Sequence, residues 1–175
     1  MADDGEEYGV PLLNRLKTGY SACVYQPLAS LEGDCATGES DMAYWLMKSE
    51  PDEYGWDDLL RDGSTEWTGV RNHAAAKHLR AMKKDDRAFF YHSAIAQPCI
   101  VGIMAVAREW QPDGEEGKWA SVKVTPVEPL PAPVTLKAMK AEGALSDMAT
   151  LKQSRLSVSP VRVDEWKHLL RMAGV

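Results

Sequence analysis

From residue 43 onward, short apolar runs alternate with segments of helical spacing. Ala43–Lys48 (AYWLMK) is aromatic and apolar, which predicts a strand that Ser49-Glu50-Pro51-Asp52 interrupts. Trp56, Leu59 and Leu60 fall at i, i+3 and i+4, the spacing of a short helix, and Gly63 suits its end. Asn72 is placed to cap a second helix through Met82, with Ala75, Ala76, Leu79 and Met82 on one side. Arg87–Ser93 (RAFFYHS) predicts a strand. Cys99–Glu109, apolar on both faces, predicts a central one. The short gap 94–98 favours antiparallel pairing of the two. Trp119–Thr125 alternates, with Ala120, Val122 and Val124 on one face and Ser121, Lys123 and Thr125 on the other. Pro126, Pro129, Pro131 and Pro133 predict a loop that no central strand tolerates. Thr135 is placed to cap a helix carrying Leu136 and Met139. Asp164 is placed to cap a last helix with Trp166, Leu169, Leu170 and Ala173 inward and Gly174 at its close. Strands and helices mix without regular βαβ alternation. The class is therefore α+β: a small, curved or barrel-like sheet with helices packed at its edges.

Residues 1–41 lack this patterning and read as a disordered extension ahead of a folded domain over 42–175. They contain no basic segment followed by an apolar one, so no signal peptide is expected, and Met42 is a candidate natural start. Charge divides the chain at the same point. The extension holds eight acids and two bases, which accounts for the whole net charge of −6; the rest is neutral. Within the neutral part, Glu50–Glu66 is acidic, whereas Arg71–Arg87 holds six bases and two acids. That basic stretch suits a phosphate backbone as well as a solvated helix face.

Composition excludes several classes. Apolar residues make up 45% and charged residues 26% of 175, an ordinary globular balance. The longest apolar run, Cys99–Ala107, is far short of the ~20 residues a bilayer requires. Three cysteines, Cys23, Cys35 and Cys99, form no CxxC pair, so a disulfide scaffold is not expected and a reducing, cytoplasmic compartment is the default. No dinucleotide or P-loop glycine motif and no HExxH occurs. His73 and His78 do not share a helix face as i and i+4 ligands would, so neither a metal nor a cofactor is expected. Ser93 and His92, adjacent on a strand, point to opposite faces and cannot form a nucleophile and its base.

Four stretches instead set polar groups beside aromatics at element ends. They are Trp45…Lys48-Ser49-Glu50-Pro51, Trp67–Asn72, Phe89–Ser93 and Gln153–Ser157. A ring that stacks and polar groups that read an edge are what recognition of a planar base requires, although such aromatics are also ordinary core residues. The run YWLMKSEPDEYGWDDL, then TEWTGVRNHAAAKHLRAMKKDDRAFFYHS, then IVG, then KQSRLSVSPV, resembles the EVE domain family over Met42–Leu170. The resemblance implies a PUA-like fold and a pocket for a flipped-out, modified nucleobase, with modified cytosine in DNA as the expected ligand and RNA as the alternative. It implies that Ser49 and Glu50 stand beside the pocket and that Trp67 stacks on the base. Thr68, Gly69 and Asn72 would read its edge, and Tyr91, His92 and Ser93 would line the opposite wall. Arg71, Lys77, Arg80, Arg155 and Ser157 would meet phosphate. Two departures stand out: Asp85-Asp86 replaces the usual Gly-Asp, and His73-Ala74 replaces an aromatic followed by Gln.

Three functions follow. The first is a non-enzymatic reader of a modified base in nucleic acid, nuclear if the source is eukaryotic. The second is a small-molecule nucleotide or nucleoside binder, which the neutral domain favours. The third is an enzyme acting on RNA or a nucleoside, which lacks a catalytic constellation.

Overall fold

A computed structural model describes residues 42–114 and 117–175; the extension 1–41 lies outside the described residues. The strands are β1 (Tyr44–Ser49), β2 (Thr65–Trp67), β3 (Arg87–His92), β4 (Cys99–Asp113), β5 (Trp119–Thr135) and β6 (Val158–Val161). The α-helices are α1 (Trp56–Asp62), α2 (His73–Ala81), α3 (Leu136–Ala141), α4 (Ala149–Lys152) and α5 (Val163–Ala173). The strands form one mixed sheet in the order β2-β5-β4-β3-β1-β6. Only β1 and β3 run parallel, and β3 pairs antiparallel with β4 across the short connection, as the sequence predicts. The sheet stays open, with β2 and β6 as its edges, so the α+β class stands and closure into a barrel does not.

Both faces of the sheet are covered, which explains the continuous apolar runs. On β1 and β3, Trp45, Met47, Ala88 and Phe90 join the core beneath α1 and α2. Leu46, Phe89 and Tyr91 point the other way, into a core with Met139 of α3 and Trp166 and Leu169 of α5. Phe89 stacks on Trp166 with ring centroids 3.8 Å apart. Gly102 of β4 lies under Trp56: a Cβ there would come within 2.4 Å of the indole, so only glycine admits this helix–sheet approach.

The sequence reading needs correction at three places. The proline-rich stretch is strand, not loop. Met104 pairs with Pro126, Gly102 with Pro129 and Ile100 with Val134, across register shifts. Because β2 covers only Val122–Val124, the prolines occupy a one-sided edge, where a missing N–H leaves no ladder bond unmade. Leu60 is exposed rather than inward; Trp56 and Leu59 alone carry the buried face of α1. Asp164 sits in the first turn of α5. Arg162 holds the cap position, and its N–H donates to the Glu165 carboxylate at 2.8 Å. Two expected caps are present. Asn72 Oδ1 accepts from the Ala74 and Ala75 amides, and Thr135 Oγ1 accepts from Ala138.

Candidate functional site

The parallel pairing of β1 and β3 brings two strand ends side by side. The Ser93 amide and hydroxyl both donate to the Ser49 carbonyl, at 2.8 and 3.1 Å. A cavity of about 730 Å³ opens over this junction. Its walls are the turn after β1, the strand β2 with its continuation to Arg71, the start of the loop after β3, and the segment 154–157.

The turn wall is built locally. The Glu50 carbonyl accepts from the Glu53 and Tyr54 amides, closing the Pro51-containing turn, and Ser49 Oγ donates to the Tyr54 carbonyl at 2.6 Å. The 154–157 wall is tied to β1 by Lys48. Its backbone N–H donates to the Ser157 carbonyl at 2.8 Å and its Nζ to the Ser154 carbonyl at 2.9 Å. Burial pushes the Lys48 ammonium below its usual range.

Trp67 closes the floor. It packs edge-on against Phe90 with centroids 5.5 Å apart, and Phe90 meets Trp56 in the same way. With 8% of its surface exposed, Trp67 offers the cavity a strip of ring rather than a full face. Tyr54 is the more open aromatic on the wall, with its hydroxyl donating to Asp62 at 3.2 Å.

Charge in the cavity cancels. Its lining carries three acids, Glu50, Glu53 and Glu66, and three bases, Lys48, Arg71 and Arg155, and Glu66 is already paired with Arg108 at 2.7 Å. Arg71 and the Gly69 amide meet one carboxylate oxygen of Asp113, at 2.7 and 3.1 Å. These contacts hold the Asp113 carboxyl below the usual range, the guanidinium being the larger influence.

Of the residues singled out in the sequence, Ser49, Glu50, Trp67, Thr68, Gly69, Arg71, Ser93, Arg155 and Ser157 line this cavity. The others lie elsewhere. Asn72 has turned its carbonyl to the α2 amides and borders a recess of about 300 Å³ that shares Ser154 and Arg155 with the cavity. Tyr91, one strand position from His92, points to the opposite face. There burial pushes its phenol up to about 12, and it borders a cavity of about 200 Å³ that adjoins the first through Lys48, Ser93 and Ser154. His92 lies beneath the site: its Nε2 accepts from the Trp56 amide at 3.1 Å, anchoring the start of α1. Lys77 is exposed on α2, away from the lining. Arg80 donates to the Lys118 carbonyl at 2.6 Å and lies over the Trp110 ring. Glu53, Tyr54 and Glu66 are lining residues outside the four candidate stretches, whereas Lys48 and Ser154 lie within those stretches without an assigned role. The acids among them read as ordinary surface.

The His92 contact gives a pH dependence. To accept from Trp56, His92 must be neutral at Nε2, and burial lowers its pKa below the ordinary 6.5. His78 shifts the same way, through burial and then Lys77. A depressed folded-state pKa means that the unfolded chain takes up protons first as pH falls. Stability is therefore expected to be level above pH 6.5 and to decline below it. Urea unfolding at pH 7.5 and 5.5 checks this. His92→Gln, whose amide oxygen can still accept the hydrogen bond, should flatten part of the decline.

Among the described residues, no cluster of three or more His, Cys, Asp or Glu is arranged to hold a metal, and no helix is long and apolar enough to cross a membrane.

Comparison with known proteins matches the domain. Thymocyte nuclear protein 1 of Rattus norvegicus is 33% identical over 170 residues, covering 77% of this chain and 75% of that protein. An NMR structure of a Rhodopseudomonas palustris protein superposes with a TM-score of 0.72 at 49% identity, covering 76% of this chain and 94% of that one. Human THYN1 in complex with 5-methylcytosine-containing DNA superposes with the same score at 30% identity, covering 76% and 98%. The EVE domain model matches residues 43–172, all six strands and nearly all of α5, and the chain belongs to the EVE domain family.

Proposed function

We propose that this protein binds nucleic acid by taking a modified base, cytosine-derived in the first instance, into the cavity at the ends of β1 and β3, without acting on it chemically. The observation that carries the reading is the cavity itself. It is polar, charge-balanced and floored by Trp67, and it sits in a fold shared with a relative solved on 5-methylcytosine DNA. A neutral base needs hydrogen-bond partners and an aromatic surface rather than net charge. Ser49, Glu50, Thr68, Gly69 and Ser93 supply polar groups around the opening. Tyr54 supplies the accessible ring and Trp67 the floor. Arg71, Arg155 and Ser157 stand at the rim, where the phosphates of an extruded nucleotide would pass. Extrusion costs a few kcal/mol, which a stacked ring and several hydrogen bonds offset.

The test is a titration of the 175-residue chain with fluorescent oligonucleotides carrying cytosine, 5-methylcytosine or 5-hydroxymethylcytosine, single- and double-stranded, at two salt concentrations. Tighter binding to one modified form is expected, with the preference persisting as salt rises, because phosphates set the salt slope and the cavity sets the preference. Tyr54→Ala keeps the backbone carbonyl that holds Ser49. It should weaken binding to the preferred form by about tenfold, the value of one stacked base. Equal affinity for every oligonucleotide, unchanged in Tyr54→Ala, would overturn the reading. The balanced charge of the cavity also favours a second reading, a binder of free nucleosides. Salt-independent nucleoside binding without oligonucleotide binding would select it.

A further inference from the structure

Gly69 and Arg71 present their donors to a single point. The Gly69 amide, in a left-handed turn (φ +76°), and Arg71 Nη1 both reach Asp113 Oδ2, at 3.1 and 2.7 Å. A backbone N–H beside a guanidinium is a donor set suited to a phosphate oxygen. The chain's own carboxylate fills it. Gly69 and Arg71 also form part of the cavity wall, whereas Asp113 belongs to the end of β4, across the hairpin from Trp119. The Arg71 guanidinium lies 5.8 Å from the centre of the Trp119 ring. Half of the Arg71 side chain is exposed.

From this geometry we infer that the Gly69 amide and Arg71 form a phosphate site for the nucleotide beside the cavity, and that Asp113 is its built-in competitor. The inference rests on the nucleic-acid reading for its ligand, but the anion site stands on its own geometry. The pair is half-exposed on the Arg71 side and 15% exposed on the Asp113 side, and an ion pair open to solvent on one side contributes modest net stability, so a phosphodiester that brings its own charge to the same donors can displace the carboxylate. Asp113 then acts as a threshold. It lowers the affinity of every strand that uses this site by the same factor, so a phosphate contact alone falls below appreciable occupancy at working concentrations while a strand whose base also enters the cavity still binds.

The experiment uses the 175-residue chain and two probes. With inorganic phosphate as the probe, the Gly69 amide resonance is followed by NMR in wild type, Asp113→Ala and Asp113→Ala/Arg71→Ala. Phosphate should move it at lower concentration in Asp113→Ala than in wild type, and should fail to do so in the double variant. With the modified oligonucleotide as the probe, Asp113→Asn should bind about fivefold tighter, what a pair open to solvent on its arginine side withholds. Its salt dependence should steepen by at most about 0.9 in log–log slope, one further phosphate contact. Melting curves establish that each variant is folded. Should a variant fail to fold, the Asp113 carboxyl and Gly69 amide signals of wild type, titrated together with phosphate, give the same answer: joint movement supports displacement. A Gly69 resonance that phosphate leaves unmoved in wild type and in the folded Asp113 variants overturns the inference, as does unchanged or weaker oligonucleotide binding in folded Asp113→Asn. Phosphate binding at Gly69 without any oligonucleotide binding would sink the nucleic-acid reading and leave the anion site standing.

Discussion

Asp86→Asn is expected to lower folding stability by about 3 kcal/mol, a large fraction of what a domain this size possesses. The side chain is 2% exposed and accepts three hydrogen bonds. Oδ1 takes the Ala43 amide at 3.0 Å; Oδ2 takes Trp45 Nε1 and the Lys83 amide, both at 2.9 Å. One carboxylate thus fixes the entry to β1, the indole that packs beneath α2, and the turn leading into β3. Asparagine keeps the size and one oxygen. Its NH₂ would then meet either the two donors now on Oδ2 or the one on Oδ1, so at least one buried N–H is orphaned beside another donor. Urea unfolding of the two proteins checks the figure, and a loss below about 0.5 kcal/mol, the scatter of an ordinary surface change, would refute the account. Neighbouring Asp85 gives the contrast. It adopts a left-handed conformation (φ +72°) that glycine accepts without strain, so Asp85→Gly should leave stability unchanged or slightly raised.

These two residues illustrate what the sequence carries. Asp85-Asp86 is visible as a departure from the usual Gly-Asp, and tolerance of a left-handed turn is a local property that residue type reveals. The role of Asp86 is not local, because its donors come from residues 43, 45 and 83. The same division runs through the fold. Helix α2, its Asn72 cap and its buried alanines follow from spacing within ten residues. The proline-rich half of β5 reads as loop because its one-sidedness depends on how far β2 extends beside it, which no local pattern carries.

The site follows the same rule. Ser49 and Ser93 come from separate strings, and only the parallel pairing of β1 with β3 joins them in one wall. Strand alternation sends Tyr91 to the opposite face, while His92 turns beneath the wall to the α1 amide, although FFYHS reads as one motif. Asn72 could be a cap or a base-edge reader. The cap is satisfied within the same turn, and that local contact takes its carbonyl oxygen.

Trp67→Ala should be the most damaging single change at the site, costing about 4 kcal/mol, because it empties a core position as well as a pocket floor. The indole is nearly buried, rests on Phe90 and anchors a strand of only three residues opposite Val122. The wall from Thr68 to Arg71 continues directly from it, so loosening β2 displaces the donors at Gly69 and Arg71 together. Loss of oligonucleotide binding in Trp67→Ala would therefore not distinguish a stacking residue from a structural one. Trp67→Phe does. Phenylalanine preserves the edge-on packing on Phe90 while shortening the strip of ring that reaches the cavity. If Trp67 acts as floor and Tyr54 as the stacking face, Trp67→Phe should recover most of the melting temperature and most of the affinity in parallel. A Trp67→Phe protein that melts like wild type but has lost about tenfold in affinity for the modified oligonucleotide would transfer the stacking role to Trp67 itself. That result would require the indole to swing from its contact with Phe90 when the base enters, and the Phe90–Trp67 packing would then be the resting state of a movable floor.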